Sequence, residues 1–298
     1  MKDLWFPLFV LLGIITIALT GGAKNYQNNS ATSNPPVVNP PITPPPPDTS
    51  PYSYNSSPGS LPSSVSNSPY ASKASLQWGG YGSNNPNQEY IQVSANSANT
   101  TPLDITGWTL HSKWTGQNVT IPQSVSLYFA NSSNGKEDVR LAPGERAFII
   151  SGRSPLGVGM HVNICSGYLS QWNPNSNQQL QFNPSLYTSC PSPRDENFSS
   201  IPRTPNNANC FDLINSLGSC QNGPTLNNTY SYECQQFVET KLNYQTCVDT
   251  HKNDPNFYSP DEWYVYLNSD QTAWQYSRYE DVVLLDQNGK QIAEIKGY

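Results

Sequence analysis

Asp249, His251 and Asp254 are the one close grouping of carboxylates around an imidazole in this chain. A hydrolase uses such a set to hold a metal ion or to move a proton. Pro255 follows at once, and the preferred reading of the three residues is the solvated end of a helix. His111 and His161 stand far from it and from each other. No nucleophile elbow, phosphate loop, zinc-protease helix or calcium loop occurs, and Gly157-Val158-Gly159 is a loop fragment with no helical pattern after it. The sequence therefore predicts a protein that is not an enzyme, with no metal and no cofactor.

Aromatic side chains are the remaining candidate ligand contacts. Tyr81, Trp114, Trp172, Trp274, Tyr276 and Tyr279 fall in or beside predicted loops rather than strand interiors. Exposed rings of this kind stack on sugars or anchor a protein partner. The competing expectation is that most of them close the ends of a sandwich or pack on a neighbouring segment.

All six cysteines, Cys165, Cys190, Cys210, Cys220, Cys234 and Cys247, lie in one stretch. Structural zinc sites use closely spaced pairs, and even the nearest two here, Cys210 and Cys220, are too far apart for that pattern. An even, clustered set reads as disulfides, which persist in oxidising compartments. The folded part is expected outside the cytoplasm. The 298 residues carry a net charge of −6, only 12% are charged, and no run of Lys or Arg appears. Nucleic acid is thereby excluded as an expected partner, since phosphate binding needs a clustered basic surface.

Residues 1–23 contain an apolar run from Leu4 to Leu19 and are read as an uncleaved transmembrane anchor. A secretory signal peptide cleaved near Gly21 or Ala23 is the alternative, which would make the protein secreted. Residues 24–73 turn to Pro, Ser and Asn, including Pro44-Pro45-Pro46-Pro47. Such a segment has too little apolar surface to offset its ordering entropy and predicts an extended stalk.

From Ala74 onward, short strand-like runs alternate with turn signals, as in a mainly β sandwich. Strands are expected at Glu89–Val93, Ile105–Leu110, Asn118–Ile121, Val139–Leu141, Arg146–Ile150, Trp263–Leu267, Val282–Leu285 and Gln291–Ile295. Arg146–Ile150 is apolar on both faces and predicts a central strand covered on both sides. Asn288-Gly289 predicts a hairpin through a type I′ turn.

The order of Glu89-Tyr90-Ile91, Ile105-Thr106-Gly107-Trp108-Thr109-Leu110, Ile121-Pro122, Leu141-Ala142-Pro143-Gly144-Glu145 and Asp281-Val282-Val283-Leu284, with Asp286 and Gly289, resembles the lamin-tail domain family. Bacterial surface-associated members are the most similar in character. The likeness covers about 74–165 and 262–298. It implies an immunoglobulin-like β-sandwich that binds or builds structure, with no shared active site. The filament role of nuclear members is not implied, because the chain has no heptad rod.

Residues 166–261 depart from that family as a Cys-rich insert. Cys210, Leu213, Ile214 and Leu217 share one helix face, which stops at Gly218; Ser231 can cap a second helix carrying Cys234, Phe237, Val238 and Leu242. A helical hairpin would favour Cys220 with Cys234 and Cys210 with Cys247, leaving Cys165 with Cys190, although spacing alone does not fix the connectivity. The whole reads as a cell-surface binding or structural module on a stalk, whose partner is a protein or the architecture of the envelope. The alternative is a carbohydrate-binding module that takes envelope polysaccharide through loop aromatics.

Overall fold

A computed structural model of the chain describes residues 68–80, 84–129, 133–171, 180–274 and 280–297. The expected N-terminal helix and nearly all of the stalk lie outside these residues, as do Tyr81, Trp172, Tyr276 and Tyr279. No helix among the described residues is long and apolar enough to cross a membrane.

The apolar runs form β1 (Ala74–Gly79), β2 (Tyr90–Ala95), β3 (Leu103–Asp104), β4 (Thr109–Ser112), β5 (Asn118–Thr120), β6 (Arg140–Leu141), β7 (Arg146–Ile150), β8 (Met160–His161), β9 (Glu262–Tyr266), β10 (Val282–Leu285) and β11 (Gln291–Ile295). A five-stranded sheet has the order β1-β2-β7-β9-β8, a four-stranded sheet the order β11-β10-β4-β5, and β3 pairs with β6. β7 and β9 run parallel, with Arg146 opposite Glu262 and Ile150 opposite Tyr266. The two larger sheets share one core, in which Ile91, Val93, Ile149 and Val265 meet Leu110, Val282 and Leu284 around Trp108 and Trp274.

The expected central strand is found. Ala147 and Ile149 of β7 enter the shared core, while Phe148 and Ile150 enter a second core on the opposite face. β9 behaves the same way: Trp263 and Val265 point one way, Tyr264 and Tyr266 the other, and all four are buried. The cover on that second face is the connection between β8 and β9, residues 162–261. These two strands are antiparallel neighbours, so this stretch is a hairpin connection grown to the size of a small domain. A longer connection adds little closure cost, because that cost rises only with the logarithm of loop length.

Two local expectations are corrected. Ile105–Leu110 is not one strand: Gly107 adopts φ +79° and turns the chain between β3 and β4, with its N–H bonded to Ile121 O. The β10–β11 hairpin forms at the expected place, but of its loop residues Gly289 alone has positive φ. Gly289 N–H donates to Asp286 O and Asp286 N–H to Lys290 O, both at 2.9 Å. This is a type I turn closed by a glycine bulge, not a type I′ turn.

Within the connection lie α1 (Ala208–Ser216), α2 (Tyr232–Lys241) and α3 (Tyr244–His251). Ser231 caps α2 as expected, its hydroxyl accepting from Cys234 N. α1 ends with Leu217 in an extended conformation rather than at a left-handed Gly218. α3 ends at His251, where a helix end was expected; its start was not anticipated, and Asn243 caps it by accepting from Thr246 N at 3.0 Å.

All six cysteines form disulfides, but the pairing is Cys165–Cys247, Cys190–Cys220 and Cys210–Cys234. The expected pairs Cys165–Cys190, Cys210–Cys247 and Cys220–Cys234 do not occur. They assumed a tight hairpin that brings the end of one helix to the start of the next. Instead residues 217–231 travel back along α1, where Asn209 Nδ2 holds Thr229 O at 3.0 Å. The two helix starts therefore adjoin, and Cys210 meets Cys234 with Cα atoms 5.8 Å apart. Cys220 turns away at φ +57° to meet Cys190, and Cys247 on α3 reaches Cys165 at the entry to the connection.

Candidate functional site

The carboxylate–imidazole grouping is regrouped by the fold. His251 ends α3, and its Nδ1 lies 2.7 Å from Asp254 Oδ2. Its Nε2 lies 3.2 Å from Glu196 Oε1, a residue the sequence did not flag, while Asp249 sits instead by Lys252 at 3.7 Å. Burial alone would lower the imidazole pKa, but the bonds to Asp254 and Glu196 outweigh it and raise it. A protonated ring between two carboxylates is a clamp, fastening the 193–196 segment to the end of α3. Among the described residues no group of three or more His, Cys, Asp or Glu is arranged to hold a metal.

Two further polar contacts serve the fold. Glu89, at the entry to β2, takes the Ser151 hydroxyl and the backbone N–H groups of Ala273, at 2.6 Å, and Trp274, at 3.2 Å. Burial raises its pKa against the pull of these donors, and the Glu280 carboxyl adds to the rise. His161 lies between Tyr258 and Trp263, with ring centroids 4.1 and 4.3 Å away and nearly parallel planes. Its Nε2 is 2.5 Å from Glu145 Oε1, and the other Glu145 oxygen accepts from Ala142 N. The only sequence hint of Glu89 was a carboxylate heading an apolar strand; the Glu145–His161 contact joins the turn before β7 to β8 and gives none.

The candidate aromatics separate. Trp274 is buried in the core shared by the two sheets, so it is no platform; the grip of Glu89 on its backbone draws it inward. Trp114 is 57% exposed at the β4–β5 turn, where Ser112 Oγ accepts from Thr115 N and Gly116 takes φ +73°. One ring is thus exposed and the other enclosed.

The connection also carries a concavity of about 580 Å³. Leu169, Val238, Leu242 and Tyr244 give it an apolar floor, and Asn222, Thr225 and Gln245 a polar rim. Gly223 shapes it by close approach: a Cβ there would lie 2.0 Å from Val238 Cγ1. Burial, helped by Glu196, pushes the neighbouring Tyr168 phenol up to about 12, so this wall stays neutral. Asn222, Thr225 and Gln245 make no side-chain hydrogen bond among the described residues, which leaves their donors and acceptors to a ligand. The sequence signal was the pair of helices, but the groove arises from how residues 221–226 return across α2, which periodicity does not report. Comparison with protein-family models, curated proteins and solved structures gave no match.

Proposed function

We propose that this protein is a non-enzymatic binding module of the cell surface. In this reading a lamin-tail-like, immunoglobulin-like sandwich is held on the Pro-rich stalk, anchored through the N-terminal helix, and presents the insert to a protein partner. The three disulfides point to an oxidising environment outside the cytoplasm.

The observation that carries the reading is the groove on the insert: an apolar floor with unengaged amide and hydroxyl groups along its rim. That combination suits an extended peptide segment, whose apolar side chain enters the floor while its backbone pairs with the rim. The titratable groups described above fit the same picture, since Glu89, His161 and His251 are each engaged in fastening one segment to another.

The test is selection from a displayed peptide library, with the intact chain as bait and Gln245→Trp and Thr225→Trp as groove-filling variants. Both positions lie on the rim, so the fold should tolerate them. Peptides with spaced apolar residues, retained by the parent chain and lost by both variants, are expected. Peptides that bind parent and variants alike remove the groove as the site.

A further inference from the structure

A second concavity, of about 490 Å³, opens beside the His251 clamp and has different chemistry. The geometry points to a saccharide site there, for a neutral sugar with adjacent hydroxyls, formed by Tyr187, Asp195, Asp254 and Asn256. This goes beyond the peptide groove; the two surfaces share no lining residue, and either stands without the other.

Tyr187 is the first reason. It is 38% exposed, yet it sits on a fastened segment. Phe182 and Leu186 are buried on one side of it, the Tyr264 hydroxyl reaches Pro184 O at 3.0 Å and Ser185 O at 3.1 Å, and Cys190 is held by its disulfide on the other side. An aromatic ring kept in water on a rigid support offers a flat apolar face, which the C–H face of a pyranose covers.

The polar groups are the second. Asp195 and Asn256 make no side-chain hydrogen bond among the described residues, and both line the cleft. Asp254 commits one oxygen to His251, which leaves the other open. Carboxylates only accept, amides both donate and accept, and a sugar hydroxyl does both, so two carboxylates and an amide around one ring match vicinal hydroxyls. Two carboxylates also repel an acidic sugar, so uronates are disfavoured. His251 is a positioning residue: by holding Asp254 and Glu196 it sets the distance between the two cleft walls.

The experiment is isothermal titration of the full chain with soluble gluco-, manno-, galacto- and N-acetylglucosamine oligosaccharides and with oligouronates at millimolar concentration. At least one neutral series should bind, with oligouronates weaker by tenfold or more. Tyr187→Ala and Asp195→Ala should each weaken binding at least tenfold with an unchanged melting temperature, as both residues are exposed. Gln245→Trp should leave sugar binding unchanged, which separates this site from the peptide groove. No heat from any neutral sugar overturns the proposal, as does binding that survives both cleft variants or that vanishes with Gln245→Trp.

Discussion

Replacing Cys165 and Cys247 together by serine opens the bridge that closes the longest loop, a sequence separation of 82. On the chain-entropy account such a crosslink removes about 4.5 kcal/mol of freedom from the unfolded state, against about 3.4 kcal/mol for the separation of 24 between Cys210 and Cys234. Location widens this difference. Cys165 and Cys247 pack with Phe148, Tyr264 and Tyr266 against the five-stranded sheet, whereas Cys210 and Cys234 belong to a separate cluster with Ile214 and Phe237. The two smaller loops are nested inside the large one, so they still restrict part of the unfolded chain when it opens. The net loss for the Cys165/Cys247 pair should then be about 3–4 kcal/mol. Urea unfolding read by tryptophan fluorescence reports the sheets, because Trp108, Trp263 and Trp274 sit in their shared core. The Cys210/Cys234 pair should instead shift that transition by less than about 1 kcal/mol and lose amide protection only within residues 201–242. Equal shifts for the two variants would refute the separation of the cores. A non-reducing peptide map comes first, and a peptide linking Cys220 to Cys234 overturns the pairing outright.

Gly223→Ala places a Cβ 2.0 Å from Val238 Cγ1 and 3.0 Å from Val238 O, and should cost about 2–3 kcal/mol. Gly135→Ala, with open space around it, should leave the melting temperature unchanged in the same scan. The imidazole of His251 titrates above its ordinary value, so its contribution is fully present below about pH 6.5 and fades as pH rises through the folded pKa. His251→Gln should therefore destabilise by about 1 kcal/mol at pH 5.5 and by less at pH 8.5, measured as urea midpoints; the partial exposure of the clamp keeps the figure small. The carboxyl of Glu89 also titrates above its ordinary value, so it favours folding below about pH 4.5, and that favour is lost as pH rises through its folded pKa. Glu89→Gln should flatten the stability slope from acid to neutral pH, while costing about 1–2 kcal/mol for the acceptor it removes from Ala273 or Trp274. An unchanged slope would place the titration elsewhere.

What the sequence made legible follows from the range of the interactions involved. The Arg146–Ile150 run announced a strand covered twice, since only burial on both faces rewards apolar residues at every position. Ser231 announced its helix because capping acts over three residues. The pairing of the cysteines was not readable, as it depends on residues 217–231 running back along α1, and that path is set by tertiary contacts such as Asn209 to Thr229. Trp274 looked like a loop ring for a related reason. Its burial depends on Glu89, far away in sequence, whose carboxylate captures the Trp274 backbone N–H. The clamp on His251 was half visible: Asp254 is local, but Glu196 arrives from a segment that neither period nor motif connects to α3.

The connection between β8 and β9 cannot be regarded as an appendage. Phe148, Ile150, Tyr264 and Tyr266 rise from the five-stranded sheet into the core that this connection covers. Burying a large apolar side chain contributes about 1.5–3 kcal/mol, so four of them represent roughly 6–12 kcal/mol, as much as the entire net stability of an ordinary domain. The two-sheet body therefore needs its insert, and the insert needs the sheet, since its own apolar cluster around Ile214 and Phe237 is small. Both concavities are consequently mounted on rigid material. Leu169 of the groove floor packs in the core beneath the sheet, and Tyr187 of the cleft follows Leu186, which packs in that same core. A ligand held at either place would load the same layer of side chains that separates it from β7 and β9. Recognition by the insert and stability of the sheets should thus respond together to any change in that layer.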